Sequence, residues 1–165
     1  MKADEAGIVI SGRRWSASDF VRADGMPGPW TSKALEAAPL SFEAELGRFL
    51  TEFFSPGAAV TVHTSGSTGA PKAFAAEKSR MRASARATIA FLGLKPGSTN
   101  LLAMPLRFIA GKMVVVRSLE CGLNLIPVEP CANPFLEHPE AADLCALTPM
   151  QAATVLANPA TSRFL

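Results

Sequence analysis

Ala59-Val60-Thr61-Val62-His63-Thr64-Ser65-Gly66-Ser67-Thr68-Gly69-Ala70-Pro71-Lys72 sets a short strand-forming run directly before hydroxyls and glycines that close on a lysine. The β-branched residues of 59–63 predict a strand, and Ala73 to Ala76 can supply the returning one. Between them, Gly66 and Gly69 let the backbone reach positive φ and approach a ligand closely. Successive N–H groups in such a turn form an anion-binding concavity. Ser65, Ser67 and Thr68 add hydroxyl donors, and Lys72 adds a point charge suited to phosphate. The physics points to polyphosphate, although composition alone also suits a flexible Ser/Gly hairpin turn. The stretch is not the common nucleotide-binding P-loop, because Gly66 and Gly69 are three apart, Pro71 precedes the lysine and Ala73 follows it. Nor is it a dinucleotide fingerprint, since G-x-G-x-x-G is absent.

Upstream, Gly7–Ser16 reads as strand, Gly-containing turn and second strand, and Ser18-Asp19-Phe20 as a helical turn. Gly25, Pro27, Gly28 and Pro29 mark residues 24–32 as loop. Phe42, Leu46, Phe49, Leu50 and Phe53 recur at helical spacing behind Ser41, and Ser55-Pro56-Gly57 ends that helix. Downstream, residues 77–94 form the strongest helical pattern, with Met81, Ala85, Ile89 and Leu92 on one face. Lys78, Arg80, Arg82 and Arg86 are expected on its solvent side. Strands are expected at 100–104, 123–129 and 142–147, and helices at 109–119 and 150–157. Alternation of this kind predicts an α/β fold with a largely parallel sheet flanked by helices. It divides the chain into an N-terminal part, 1–58, and a loop-bearing α/β part, 59–165.

Composition excludes several classes. At 48% hydrophobic and 18% charged, the 165 residues can bury a core, so disorder is not expected. The formal net charge of +2 is spread along the chain and gives no basic stripe for nucleic acid. Cys121, Cys131 and Cys145 form no Cys-x-x-Cys pair, so free thiols are expected rather than disulfides, and no metal ligand set is visible. The start, Met1-Lys2-Ala3-Asp4-Glu5, leads into no long apolar run, and no stretch is long and apolar enough for a membrane span. A cytoplasmic location is expected. His63 and His138 have no visible triad or metal partner, and Cys145 reads as a small packed hydrophobe.

The order Thr-Ser-Gly-Ser-Thr-Gly-x-Pro-Lys at Thr64–Lys72 closely resembles the signature of the adenylate-forming superfamily, which includes acyl-CoA synthetases, luciferases and peptide-synthetase adenylation domains. Pro105-Leu106-Arg107-Phe108-Ile109-Ala110-Gly111 is similar to that family's Pro-Leu-Phe-His-x-x-Gly segment, which lines the acyl pocket. Thr148-Pro149-Met150-Gln151 resembles its Val-Pro-Thr-Gln stretch. The likeness covers about residues 59–160 and implies part of the large N-terminal domain of such an enzyme. It implies that Thr64, Ser65, Gly66, Ser67, Thr68, Gly69 and Lys72 hold ATP phosphates, and that Phe108 and Gly111 belong to the acyl pocket.

Within the superfamily the sequence looks most like the o-succinylbenzoate–CoA ligases of menaquinone biosynthesis. Gly111 is followed six residues later by Arg117, at the spacing of their pocket segment, and Val128-Glu129-Pro130 with Asn133-Pro134 is similar as well. Such a substrate keeps a second carboxylate that needs a partner when buried, and a guanidinium can bind it bidentately. Arg117 is the candidate; the alternative is a helix-end arginine reaching solvent. Phe108 stands where the family often has histidine, which removes a polar contact while keeping an aromatic wall. A ligase for another aryl or acyl carboxylate, or a non-catalytic nucleotide-binding module, are the other readings.

The resemblance implies that a carboxylate and ATP give an acyl-adenylate and pyrophosphate, that Mg²⁺ shares the phosphate charge, and that CoA then displaces AMP. The family's Tyr-Gly-x-Thr-Glu motif, ribose-binding aspartate and C-terminal lid have no counterpart here; the chain holds no tyrosine. An N-terminal portion without overall activity, whose uncovered apolar surface favours self-association into a homo-oligomer, is therefore expected.

Overall fold

A computed structural model of the chain describes residues 6–63 and 72–165. The chain opens on a hairpin of β1 (Gly7–Ile10) and β2 (Arg13–Ser16), paired antiparallel from Gly7↔Ser16 to Ile10↔Arg13. Its two turn residues, Ser11 (φ 48) and Gly12 (φ 78), both take positive φ, the conformation that matches the twist of a two-residue hairpin. A short α1 (Ala17–Phe20) carries Phe20 into the core.

Next comes α2 (Pro29–Ala37), where the loop expected over 24–32 gives way to a helix. Gly28 is its N-cap and Pro29 its first residue. Proline suits that position because its fixed φ is helical and its missing N–H would be unpaired anyway, so Pro29 starts a helix instead of marking a loop. α3 (Phe42–Phe54) follows as expected, with Ser41 Oγ accepting the Ala44 N–H at 3.1 Å. Its Phe42, Leu46, Phe49, Leu50 and Phe53 are buried.

The second half runs β3 (Ala59–His63), β4 (Ala73–Glu77), α4 (Lys78–Leu92), β5 (Thr99–Leu102), α5 (Ile109–Cys121), β6 (Asn124–Pro127), α6 (Pro134–Glu137), β7 (Leu144–Cys145) and α7 (Pro149–Ala157). The five-stranded sheet has the order β2-β1-β6-β5-β7, and β1, β6, β5 and β7 are mutually parallel. The antiparallel pair β3–β4 stands apart from it as a two-stranded sheet. This is the mixed, largely parallel α/β arrangement that the alternation implies, with β7 much shorter than 142–147 and α6 an added turn. α5 lies against the sheet, where buried Asn100 donates to the Val114 carbonyl and to Ser118 Oγ, both at 2.9 Å. Ile8, Ile10, Leu102, Leu125 and Val114–Val116 join the α3 face in one core.

On α4, Met81, Ala85 and Ile89 are buried as their spacing requires, whereas Leu92, expected on the same face, is exposed at the last turn of the helix. The basic residues divide. Arg82 and Arg86 both donate to the carboxylate of Glu120 on α5, locking two helices together, while Lys78 is buried instead of solvated.

Cys145 packs half-buried in a smaller cluster with Leu101, Val128, Phe135 and Val155. Burial pushes its thiol up from 9.0 to about 11. That shift lowers the thiolate fraction at pH 8 about a hundredfold, and the thiolate is the reactive form. Iodoacetamide at pH 8, followed by peptide mass mapping, should therefore leave Cys145 the last of the three cysteines to be alkylated; early labelling of Cys145 would contradict its packing.

Candidate functional site

β3 and β4 pair from Ala59↔Glu77 to His63↔Ala73, so residues 64–72 form the connection at one end of this hairpin. Thr64, Ser65, Gly66, Ser67, Thr68 and Gly69 lie outside the described residues; Lys72 is described, exposed, directly before β4. What the structure fixes is where the loop begins. His63 N–H donates to the Arg107 carbonyl at 3.1 Å, and His63 bridges Phe108 in parallel. The entry to the hydroxyl-rich loop is thereby held against the turn between β5 and α5.

That turn ends at Phe108, the N-cap of α5, half-buried and lying 4.8 Å beneath the Arg107 guanidinium. Arg107 itself is exposed. Gly111 sits one turn into the helix. A Cβ there would fall 2.5 Å from the Pro105 carbonyl oxygen and 2.9 Å from that of Met104, so only glycine lets α5 start this close to the turn that feeds it. Phe108 and Gly111 are three residues apart and neighbours on the helix surface. The loop entry, Phe108 and Gly111 are thus brought together.

Arg117 is not with them. Nine residues beyond Phe108 places it half a turn away around α5 and about 13 Å further along the axis. Its side chain is half-buried, and Nε is buried without a hydrogen-bond partner among the described residues. Burial lowers the guanidinium below its ordinary value.

Two residues next to this region carry weight that spacing alone did not reveal. Lys112, only 6% exposed, lies with Nζ 3.5 Å from Glu52 Oε2 and 4.7 Å from the Phe49 ring. Burial lowers its pKa, and the facing Glu52 opposes that shift. Glu52 Oε1 in turn accepts the Thr61 N–H at 2.7 Å. Lys112 on α5, Glu52 on α3 and Thr61 on β3 thus tie the pocket helix to the strand that runs into the loop. A cavity of about 220 Å³ beside them is lined by His63, Arg107, Arg48 and Lys112. The available signal was a lone cation opening the apolar run Met113–Val116.

Gln151 is the second. Thr148 and Gln151 cap α7 reciprocally, Thr148 Oγ1 accepting the Gln151 N–H at 3.2 Å and Gln151 Oε1 accepting the Thr148 N–H at 3.0 Å. The other end of the amide, Nε2, donates to the carbonyls of Ala103 at 3.0 Å and Cys131 at 2.9 Å. One side chain therefore docks α7 onto the segments leaving β5 and β6. In parallel sheets this carboxyl edge is where ligands bind, and it is the edge that carries Phe108.

No protein-family model matches the chain, and no curated protein sequence does. Among solved structures it is similar to the acyl-CoA synthetase (AMP-forming)/AMP-acid ligase II-like protein from Dyadobacter fermentans, at 33% identity and a TM-score of 0.70 over 79% of this chain. It is also similar in fold to the inhibitor-bound N-terminal domain of FACL13 from Mycobacterium tuberculosis, at 19% identity and a TM-score of 0.50 over 62% of this chain. The chain spans 38% of the first structure's length and 26% of the second's. The mixed α/β fold with its mostly parallel sheet is the fold of the N-terminal domains of adenylate-forming enzymes.

Proposed function

We propose that the chain is the N-terminal part of an ATP-dependent, AMP-forming acyl-CoA ligase whose carboxylate substrate is o-succinylbenzoate. The observation that carries the ligase reading is the agreement of Thr64–Lys72 with the adenylate-forming signature, in a chain 33% identical to an AMP-forming synthetase-like protein. In this reading a carboxylate oxygen attacks the α-phosphorus of ATP and pyrophosphate leaves. The CoA sulfur then attacks the acyl carbon, AMP leaves, and the thiol proton passes to solvent. Thr64–Gly69 donate to the β- and γ-phosphates, and Lys72 balances their charge. Catalysis by such a loop is positioning plus charge stabilisation. Phe108 walls the acyl group, and the Lys112–Glu52–Thr61 chain keeps that wall in register with the loop.

Mg²⁺ accompanies ATP in this chemistry, but among the described residues no group of three or more His, Cys, Asp or Glu is placed to hold an ion. Mg²⁺ carried by a nucleotide needs only one or two protein carboxylates beside the phosphates, and no step is assigned to it. No helix among them is long and apolar enough to cross a membrane, and the reading places the protein in the cytoplasm.

Arg117 stands half a turn round α5 and about 13 Å from Phe108, so the substrate assignment rests on the sequence resemblance from Gly111 to Arg117, with Arg117, whose Nε is buried and without a partner among the described residues, as the residue to test. It is tested by calorimetry with o-succinylbenzoate and with benzoate. The dicarboxylate should bind more tightly, and Arg117→Met should remove most of that preference, about tenfold or more for a lost charge-assisted pair. Equal binding of both acids, or a preference untouched by Arg117→Met, would leave a ligase for a different aryl or acyl carboxylate.

A further inference from the structure

A cavity of about 510 Å³ opens at the carboxyl ends of the paired strands β1 and β6, against the start of α3. Small-molecule sites span about 300–1,000 Å³, so it has room for an organic ligand. Its floor is apolar, made by buried Ile10, Phe42 and Leu46, and its wall is the half-buried pair Trp15 and Trp30. α3 separates it from the cavity beside His63: Glu43 and Leu46 face this one, and Glu45, Arg48 and Phe49 face the other.

Packing holds the aromatic wall in place. Trp15 and Trp30 meet edge to face with ring centroids 6.3 Å apart, and Trp30 lies 5.2 Å from the ring of fully buried Phe20. An indole face attracts cations through the ring quadrupole. One of these two already holds a cation, since the Arg13 guanidinium lies 4.1 Å over Trp15.

Two carboxylates, Glu43 and Glu129, also line the cavity and leave its lining net negative against the single Arg13. Among the described residues neither has an ion pair or a side-chain hydrogen bond, and Arg13 stacks on the indole instead of pairing with either. Glu43 also suits the dipole at the first turn of α3, but Glu129 stands in no helix or strand. The three charges come from β2, from α3 and from the segment after β6, so they converge only through the fold.

We propose that this cavity binds an organic cation, a protonated amine on an aromatic body. The body packs on Trp30 and the apolar floor, and Glu43 and Glu129 hold the ammonium. Arg13 is a built-in competitor, which repels the ligand's charge and covers the second indole. Nothing in this assignment depends on the ligase reading.

The chain has two tryptophans, both in this wall, and no tyrosine, so intrinsic fluorescence reports this place directly. The test titrates the chain with 2-phenylethylammonium, 2-phenylethanol and phenylacetate. A saturable change is expected, tightest for the ammonium and weakest for the acid. Arg13, Glu43 and Glu129 are exposed, so replacing them leaves the core intact. Glu43→Gln and Glu129→Gln should each weaken the ammonium by up to about fivefold, the range of exposed ion pairs, and neither should move the affinity for the alcohol. Arg13→Gln should do the opposite and strengthen the ammonium. No saturable change, equal affinity for all three probes, or tightest binding of phenylacetate would overturn the site. Glutamate variants that bind the ammonium like the parent, or an Arg13→Gln variant that binds it more weakly, would overturn the roles given to these charges.

Discussion

Gly111→Ala should destabilise the chain by about 3 kcal/mol or more, at the upper end of what forced overpacking costs. The added methyl would meet the carbonyl oxygens of Pro105 at 2.5 Å and Met104 at 2.9 Å. Both are backbone atoms, so no rotamer change relieves the contact. They lie in a turn held on one side by the His63–Arg107 hydrogen bond and on the other by buried Leu106. Alanine's better intrinsic helix propensity, worth about 1 kcal/mol over glycine, offsets only part of this. Urea denaturation measures the result directly. An unchanged midpoint would mean that α5 can shift away from the turn, and then the placement of Phe108 beside the loop entry would not be rigid.

The second large effect is expected at Gln151. Replacing it with alanine removes partners from the Ala103 and Cys131 carbonyls and from the Thr148 N–H. Each buried group left without a partner costs about 1–3 kcal/mol, so Gln151→Ala should lose about 2–4 kcal/mol once water reaches some of them. Gln151→Glu separates the hydrogen bonds from packing. A carboxylate has nearly the same shape but only acceptors at neutral pH, and it would set negative oxygen against the two carbonyls. It should be at least as damaging as alanine at pH 7 and should recover as pH falls and the acid protonates. A Gln151→Glu variant as stable as the parent at pH 7 would contradict the clamp.

The sequence exposes those parts of this fold that follow from periodicity. α3 and α4 are legible because their apolar residues recur at helical spacing, with Ser41 opening the first and Gly93 closing the second, whereas α5 is a largely apolar run long enough for a buried helix and closed by Gly122. β7 was overestimated because a run such as Ala142–Leu147 carries strand-forming residues regardless of how few of them pair; only Leu144 and Cys145 reach β5. α2 went unseen because Gly25, Pro27, Gly28 and Pro29 look like loop punctuation, whereas the last two are a helix cap and first turn. The buried charges resist sequence reading for a different reason. Lys78 and Lys112 look like surface residues by type, and their burial depends on Ser55 and Glu52, which come from α3 and its C-cap, far away in sequence. In the candidate site, the order of residues in 64–72 and 105–111 carries the resemblance on which the proposed chemistry rests. That α5 turns Arg117 away from Phe108 is fixed by the helical pitch, a consequence the six-residue spacing from Gly111 already contained.

What joins these parts is a loop entry stitched to the helix that begins at Phe108. The central claim is that the loop between β3 and β4 holds the phosphates of ATP, and thermal unfolding with and without ATP or pyrophosphate tests it most directly. Ligand at a hundredfold excess over its Kd should stabilise the natural chain by about 2.7 kcal/mol. Lys72→Ala, at the same ligand concentration, should lose much of that gain, since a charge-assisted phosphate contact is worth about 1.5–3 kcal/mol. Equal stabilisation of the natural chain and Lys72→Ala, or none in either, would contradict the assignment of this loop to polyphosphate.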